Sequence, residues 1–187
     1  DKIISKYEGH IPCEMVFQAL DALPEGFTCP ADRTKPWGTN HAVMMGADVI
    51  KEPFAVINCD DFYGSDSYKV MGKFLSELPE GAKNTYAMVG FRVGNTLSES
   101  GTVSRGLCTA NENNQLTSVV ERTKIQRMDG EVKYLDENEE WVATPETTPA
   151  SMNFWGFTPD YFEYSQEFFK SFLSDPKNME NLKSEFF

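Results

Sequence analysis

The sequence predicts an α/β fold, a layered sheet with helices packed on it, and three observations carry that prediction. Phe54 to Ile57 is a continuous apolar run of strand length that breaks abruptly into Asn58, Cys59, Asp60 and Asp61. Ser67 to Leu78 then has Tyr68, Val70, Met71, Phe74, Leu75 and Leu78 at helical spacing. Thr85 to Val93 is a second apolar run of strand length, so strand, helix and strand follow one another as in a crossover unit.

In chain order, Asp1 to Tyr7 reads as the end of a helix, closed by Gly9. Ile11 to Leu20 is a strand candidate, because Met15, Phe17 and Ala19 alternate with Glu14 and Gln18, although Cys13 and Val16 blur the period. Residues 19–37 hold Pro24, Gly26, Pro30 and Pro36 and read as a long loop. Pro36 and Gly38 keep Lys35 to Thr39 out of helix, and a flat ligand could lie against the bare backbone of Gly38. Trp37 fits a base-stacking role and a loop-covering role equally well. Thr39 is placed to cap a helix from His41 to Ile50, apolar on most of its faces, which Pro53 ends. The strand over Phe54 to Ile57 has the pattern of a parallel strand covered on both faces.

After Val93 the texture changes to strand, turn, strand. Gly106 to Thr109 and Leu116 to Glu121 flank the turn Asn111-Glu112-Asn113-Asn114, and a second hairpin with the acidic turn 136–140 spans Met128 to Thr144. Ser151 to Phe157 is an aromatic strand, followed by helices over Pro159 to Leu173 and Pro176 to Phe187.

Composition narrows the function classes. The 187 residues, 40% hydrophobic and 13% aromatic, are those of a folded globule. With 17 basic and 29 acidic residues the net charge is -12, which repels polyphosphate backbones and argues against nucleic acid as a partner. A small nucleotide stays possible, because a metal and one or two cations neutralise its phosphates locally. Four cysteines without CxxC spacing and two histidines give no ready zinc set, and reduced thiols point to the cytoplasm. No apolar run approaches the roughly 20 residues of a membrane span, so no membrane partner is expected.

Chemistry is expected at Asp60 and Asp61. Adjacent carboxylates most often form a solvated turn that caps the next helix, but a pair that follows a buried strand is also well placed for a hard cation such as Mg²⁺, which takes one or two carboxylates plus substrate phosphates.

The run Gly38-Thr39-x-His41-Ala42, a helix, then Phe54-Ala55-Val56-Ile57-Asn58-x-Asp60-Asp61-Phe62-Tyr63-Gly64 resembles the core of the sugar-phosphate nucleotidyltransferases, the NDP-sugar pyrophosphorylases. The likeness extends more loosely over most of the chain. It implies a Rossmann-like layered α/β/α mixed sheet, here truncated: the central part of one domain spanning 1–187, without the family's glycine-rich triphosphate loop and without its second metal carboxylate. It implies transfer of a nucleotidyl group from a nucleoside triphosphate to a sugar 1-phosphate, with Mg²⁺ as cofactor.

The same resemblance assigns roles. Asp60 would be the catalytic metal ligand, and Gln18, Gly38 and Thr39 would hold the nucleotide. Gly106, Glu121 and Asn153 would contact the sugar, with Arg122 or Lys124 on its phosphate. The family's usual Glu-Lys pair is Glu121-Arg122 here, which changes how phosphate is held. The piece alone is expected to be inactive. Two alternatives stand beside it: a non-catalytic regulatory module that keeps the fold and binds nucleotide-sugars, and a glycosyltransferase, a class that shares the paired aspartates but lacks the Gly-Thr-x-His-Ala helix start.

Overall fold

The computed structural model describes residues 4–187 and divides into two compact units: residues 1–52 with Thr158–Phe187, and Pro53–Phe157. The predicted helix end over Asp1 to Tyr7 falls partly outside the described residues; Ile4–Lys6 forms a 3₁₀ turn.

The second unit holds all seven strands found among the described residues. These are β1 (Phe54–Val56), β2 (Ala87–Arg92), β3 (Val103–Ala110), β4 (Leu116–Met128), β5 (Glu131–Leu135), β6 (Trp141–Thr144) and β7 (Pro149–Phe157). Every pairing between them is antiparallel. The expected Rossmann-like α/β/α layering is therefore wrong: the described residues are built on an antiparallel sheet with four short to medium α-helices.

The error has a local cause. β1 and β2 are joined by α2 (Ser65–Ser76), as a crossover requires, but β7 from far along the chain lies between them and runs against both. β1 is consequently not a strand covered on both faces; Ala55 is exposed. The hairpins β3–β4 and β5–β6 form as their turn residues predict and extend the sheet. β4 is longer than its apolar pattern suggested, because its C-terminal half pairs with β5.

Two cores support this sheet. Val93, Leu107, Ile125, Val132 and Ala150 form one, and Tyr63, Met71 and Phe154 the other, where α2 packs through Met71, Phe74 and Leu75. Tyr68 and Val70, expected in that core, stay 47% and 63% exposed.

The first unit is irregular and helical. α1 (Thr39–Met44) is shorter than predicted: Gly46 and Ala47 bond to the third residue back, a tightening that ends the helix early. Thr39 is its first helical residue rather than its cap; Gly38 takes that place without a side-chain cap bond. α3 (Tyr161–Ser174) forms as expected, whereas α4 (Pro176–Glu180) stops early and residues 181–187 run on as non-helical chain. Ile11 to Leu20 forms no strand. This unit offers no strand partner among its described residues, and Ile11, Met15, Val16 and Phe17 are left exposed.

Trp37 settles as core. It is fully buried against Phe169 and Phe172, donates its indole N–H to Leu20 O at 2.9 Å, and lies under the Arg33 guanidinium at 3.5 Å. Arg33 in turn donates to the carbonyls of Ser184 at 2.5 Å and Pro36 at 3.3 Å, which holds the C-terminal run in place.

Candidate functional site

The strand pairings of the second unit open a gap. Residues 155 and 156 of β7 are flanked by β1 and β2, while residues 150 and 151 are flanked by β3 and β2. β2 therefore follows one edge of β7 throughout, and β1 and β3 share the other edge in succession. Between them the edge of β7 at residues 152–154 is unpaired.

A bulge sits at that gap. Where β2 advances from Met88 to Gly90, β7 advances from Trp155 to Ser151, so β7 carries two more residues than its partner. Asn153, in the middle, has φ +60°, a left-handed conformation that asparagine tolerates better than most side chains.

A cavity of about 310 Å³ occupies this place. Three strands give it residues at spacing two, the period of one sheet face: Ser104 and Gly106 from β3, Val119 and Glu121 from β4, Ser151, Asn153 and Trp155 from β7. Asn58 and Asp61, just beyond β1, close one side, and Arg105 and Met152 complete the lining. Gly106 keeps the floor open: a Cβ there would stand 2.7 Å from Val119 Cγ1 and 3.7 Å from Glu121 Oε2.

The acidic loop is fixed by its own hydrogen bonds. Asn58 Nδ2 donates to Asp61 Oδ2 at 2.9 Å, and the Asn58 backbone N–H donates to the Tyr63 hydroxyl at 3.0 Å. Tyr63, 5% exposed, reaches Met152 O at 2.9 Å and Asp61 Oδ2 at 3.3 Å. Burial, partly offset by the Asn58 N–H, pushes its phenol above the ordinary value.

The lining is polar and mostly uncharged, with the Asp61 and Glu121 carboxylates as acceptors, two amides, two hydroxyls and an indole. Arg105 turns its guanidinium to the carbonyls of Ser104 at 2.7 Å and Thr96 at 2.8 Å. Such a set suits a polyhydroxylated ring, whose hydroxyls donate to carboxylates and whose apolar face lies on an aromatic side chain.

Of the residues singled out by sequence, Gly106, Glu121 and Asn153 converge on this cavity. Arg122 does not line it; its guanidinium pairs with Glu137 at 2.6 Å and stands 4.6 Å over the Tyr134 ring. Lys124 is exposed and also outside the lining. Of the acidic pair, Asp61 faces the cavity, while Asp60 is exposed and has no side-chain partner among the described residues.

No group of three or more His, Cys, Asp and Glu side chains is arranged to hold a metal among the described residues. Mg²⁺ asks for less, one or two carboxylates with phosphate and water making up the rest; Asp60 is a single exposed carboxylate outside the cavity lining. No helix among the described residues is long and apolar enough to cross a membrane.

In the first unit, Gln18 and Gly38 are in direct contact: Gln18 Nε2 donates to Gly38 O at 3.0 Å and lies 3.0 Å from His41 Nδ1. The close approach that Gly38 permits on its Cβ side is to the chain itself. At φ +109°, a Cβ would stand 2.7 Å from the Phe186 backbone nitrogen and nearer still to its carbonyl oxygen. Thr39 is exposed.

Asn58, Ser104, Arg105, Val119, Ser151, Met152 and Trp155 were not anticipated. For Ser104, Val119, Ser151 and Trp155 a signal was present, since each lies two residues from a predicted contact on the same strand. No family model and no curated protein matches the chain in sequence.

Proposed function

We propose that the chain is the sugar-handling part of a sugar-1-phosphate nucleotidyltransferase. In the whole protein the phosphate oxygen of a sugar 1-phosphate attacks the α-phosphorus of a nucleoside triphosphate, forming the NDP-sugar and releasing pyrophosphate. One observation carries the reading: Gly106, Glu121 and Asn153, singled out by resemblance and far apart in sequence, line a single cavity together with Asp61.

In this reading Glu121 and Asp61 accept hydrogen bonds from the sugar hydroxyls, Asn153 donates and accepts from the bulge, and Trp155 supplies an apolar wall. Gln18, Gly38 and Thr39 remain the proposed nucleotide contacts. Asp60 would hold Mg²⁺, which offsets phosphate charge when bound. Arg122 and Lys124 lie outside the cavity, so the sugar phosphate would extend out of it rather than sit at its floor. Positioning and electrostatics supply most of the acceleration in such transfers. A part that holds nucleotide and sugar without the family's glycine-rich triphosphate loop should therefore bind without turning over.

Calorimetric titration against a panel of NDP-sugars in Mg²⁺ tests this, with Asp60→Ala and Glu121→Gln beside the parent. Sugar-dependent binding that weakens about tenfold in Glu121→Gln is expected, the loss of one charge-assisted hydrogen bond. Binding to no member, or binding indifferent to Glu121, would overturn the proposal. NDP-sugar synthesis by this chain alone would overturn its assignment as an inactive part.

A further inference from the structure

Tyr63 does not line the cavity, yet its hydroxyl touches three residues that do, two in the acidic loop and one in β7. Its hydroxyl accepts the Asn58 backbone N–H at 3.0 Å, lies 2.9 Å from Met152 O and 3.3 Å from Asp61 Oδ2. Having one proton, it donates to the Met152 carbonyl or to the Asp61 carboxylate, not to both. The ring is fixed independently, packed against Phe154, Phe91 and Tyr68 with centroids 5.0, 5.9 and 6.3 Å away. A rigid ring thus carries a hydroxyl to the one place where the acidic loop and the bulge of β7 meet.

We propose, building on the sugar-site reading, that Tyr63 is the positioning residue of this cavity: its hydroxyl ties the Asn58–Asp61 loop to β7 beside Asn153, so that both walls are set before a ligand arrives. Met152 precedes the left-handed Asn153, so its carbonyl belongs to the strained part of the bulge. Without the hydroxyl, Asn58 N–H and Met152 O each lose a partner and the two walls move separately. A ligand that engages Asp61 on one side and Asn153 on the other must then order them as it binds, and affinity falls.

Tyr63→Phe isolates this role because the ring and its packing remain. Two readouts are taken on the whole chain, with Tyr68→Phe as control. The first needs no ligand: amide exchange of Asn58, expected to rise about tenfold or more in Tyr63→Phe, beyond the smaller rise of core amides that follows from the few degrees of melting temperature lost with the hydrogen bonds. The second is affinity for hexose 1-phosphates (glucose, mannose, galactose and N-acetylglucosamine forms), expected to weaken about tenfold in Tyr63→Phe and to hold in Tyr68→Phe. A tyrosine that serves only as packing would leave both unchanged, and that result overturns the proposal. Unchanged Asn58 exchange alone overturns it as well. If the parent binds no hexose 1-phosphate while Asn58 exchange rises as expected, the sugar reading fails and the tie through Tyr63 stands.

Discussion

At His41 a buried imidazole is held between two fixed partners. The side chain is fully buried, Nε2 donates to Ala22 O at 2.8 Å, and Nδ1 is left to accept from Gln18 Nε2 at 3.0 Å. Burial lowers its pKa below 6.5; the Ala22 carbonyl opposes that shift and the Arg33 charge adds to it. The sign follows from linkage. The unfolded chain takes up a proton near pH 6.5 while the folded chain still refuses it, so stability is full above that pH and is lost as pH falls toward the folded value. Melting temperature should therefore drop between pH 7.5 and 5.5, and His41→Gln should flatten that part of the profile. Gly38 carries a second residue-scale prediction. Because of its φ of +109° and the Phe186 backbone beside it, Gly38→Ala should destabilise the chain by about 2–4 kcal/mol, measured by urea unfolding.

The bulge of β7 is the element on which the candidate site depends. It breaks the ladder between β1 and β3, leaves residues 152–154 open on that edge, and turns Asn153 to φ +60°. Stability and binding should separate at this residue. Asn153→Gly removes the side chain but accepts the backbone angle, so it should leave stability within about 0.5 kcal/mol and weaken sugar binding. Asn153→Val should lose both, with about 1–2 kcal/mol of stability gone, because a branched side chain resists that angle. Thermal unfolding beside calorimetric titration of the two variants checks the separation. The strand itself was legible in Ser151 to Phe157, and both hairpins in their turn residues, since alternation and turn chemistry are local. Neither the bulge nor the partner of β1 was, for both depend on which distant segment lies alongside. Ile11 to Leu20 makes the converse point: its alternation satisfies a strand pattern, and with no strand beside it the pattern has nothing to pair with.

On the scale of the whole molecule, the order of elements from Thr39 onward was readable and their arrangement was not. Strand, helix, strand over 54–93 is present as predicted, but with β7 inserted the expected layered mixed sheet becomes an antiparallel one. Glu121 and Asn153 could be named from residues that resemble a family; that they face one cavity with Asp61 needed the pairings of β3, β4 and β7. Net charge, by contrast, needs no coordinates. At -12 the folded chain repels itself, and the repulsion acts over a Debye length of about 30 Å in 10 mM salt but about 8 Å at 150 mM. Raising NaCl across that range at pH 7.5 should raise the melting temperature, because the compact state gains more from screening than the expanded one. Near the isoelectric point of about 4.6 the same salt step should have little effect, since little net charge is left to screen. Parallel scans at the two pH values measure this. A rise equal at both pH values would show that the overall charge is not its source, and a fall would place the response in attractive ion pairs such as Lys35 with Glu185 at 2.6 Å, which salt weakens.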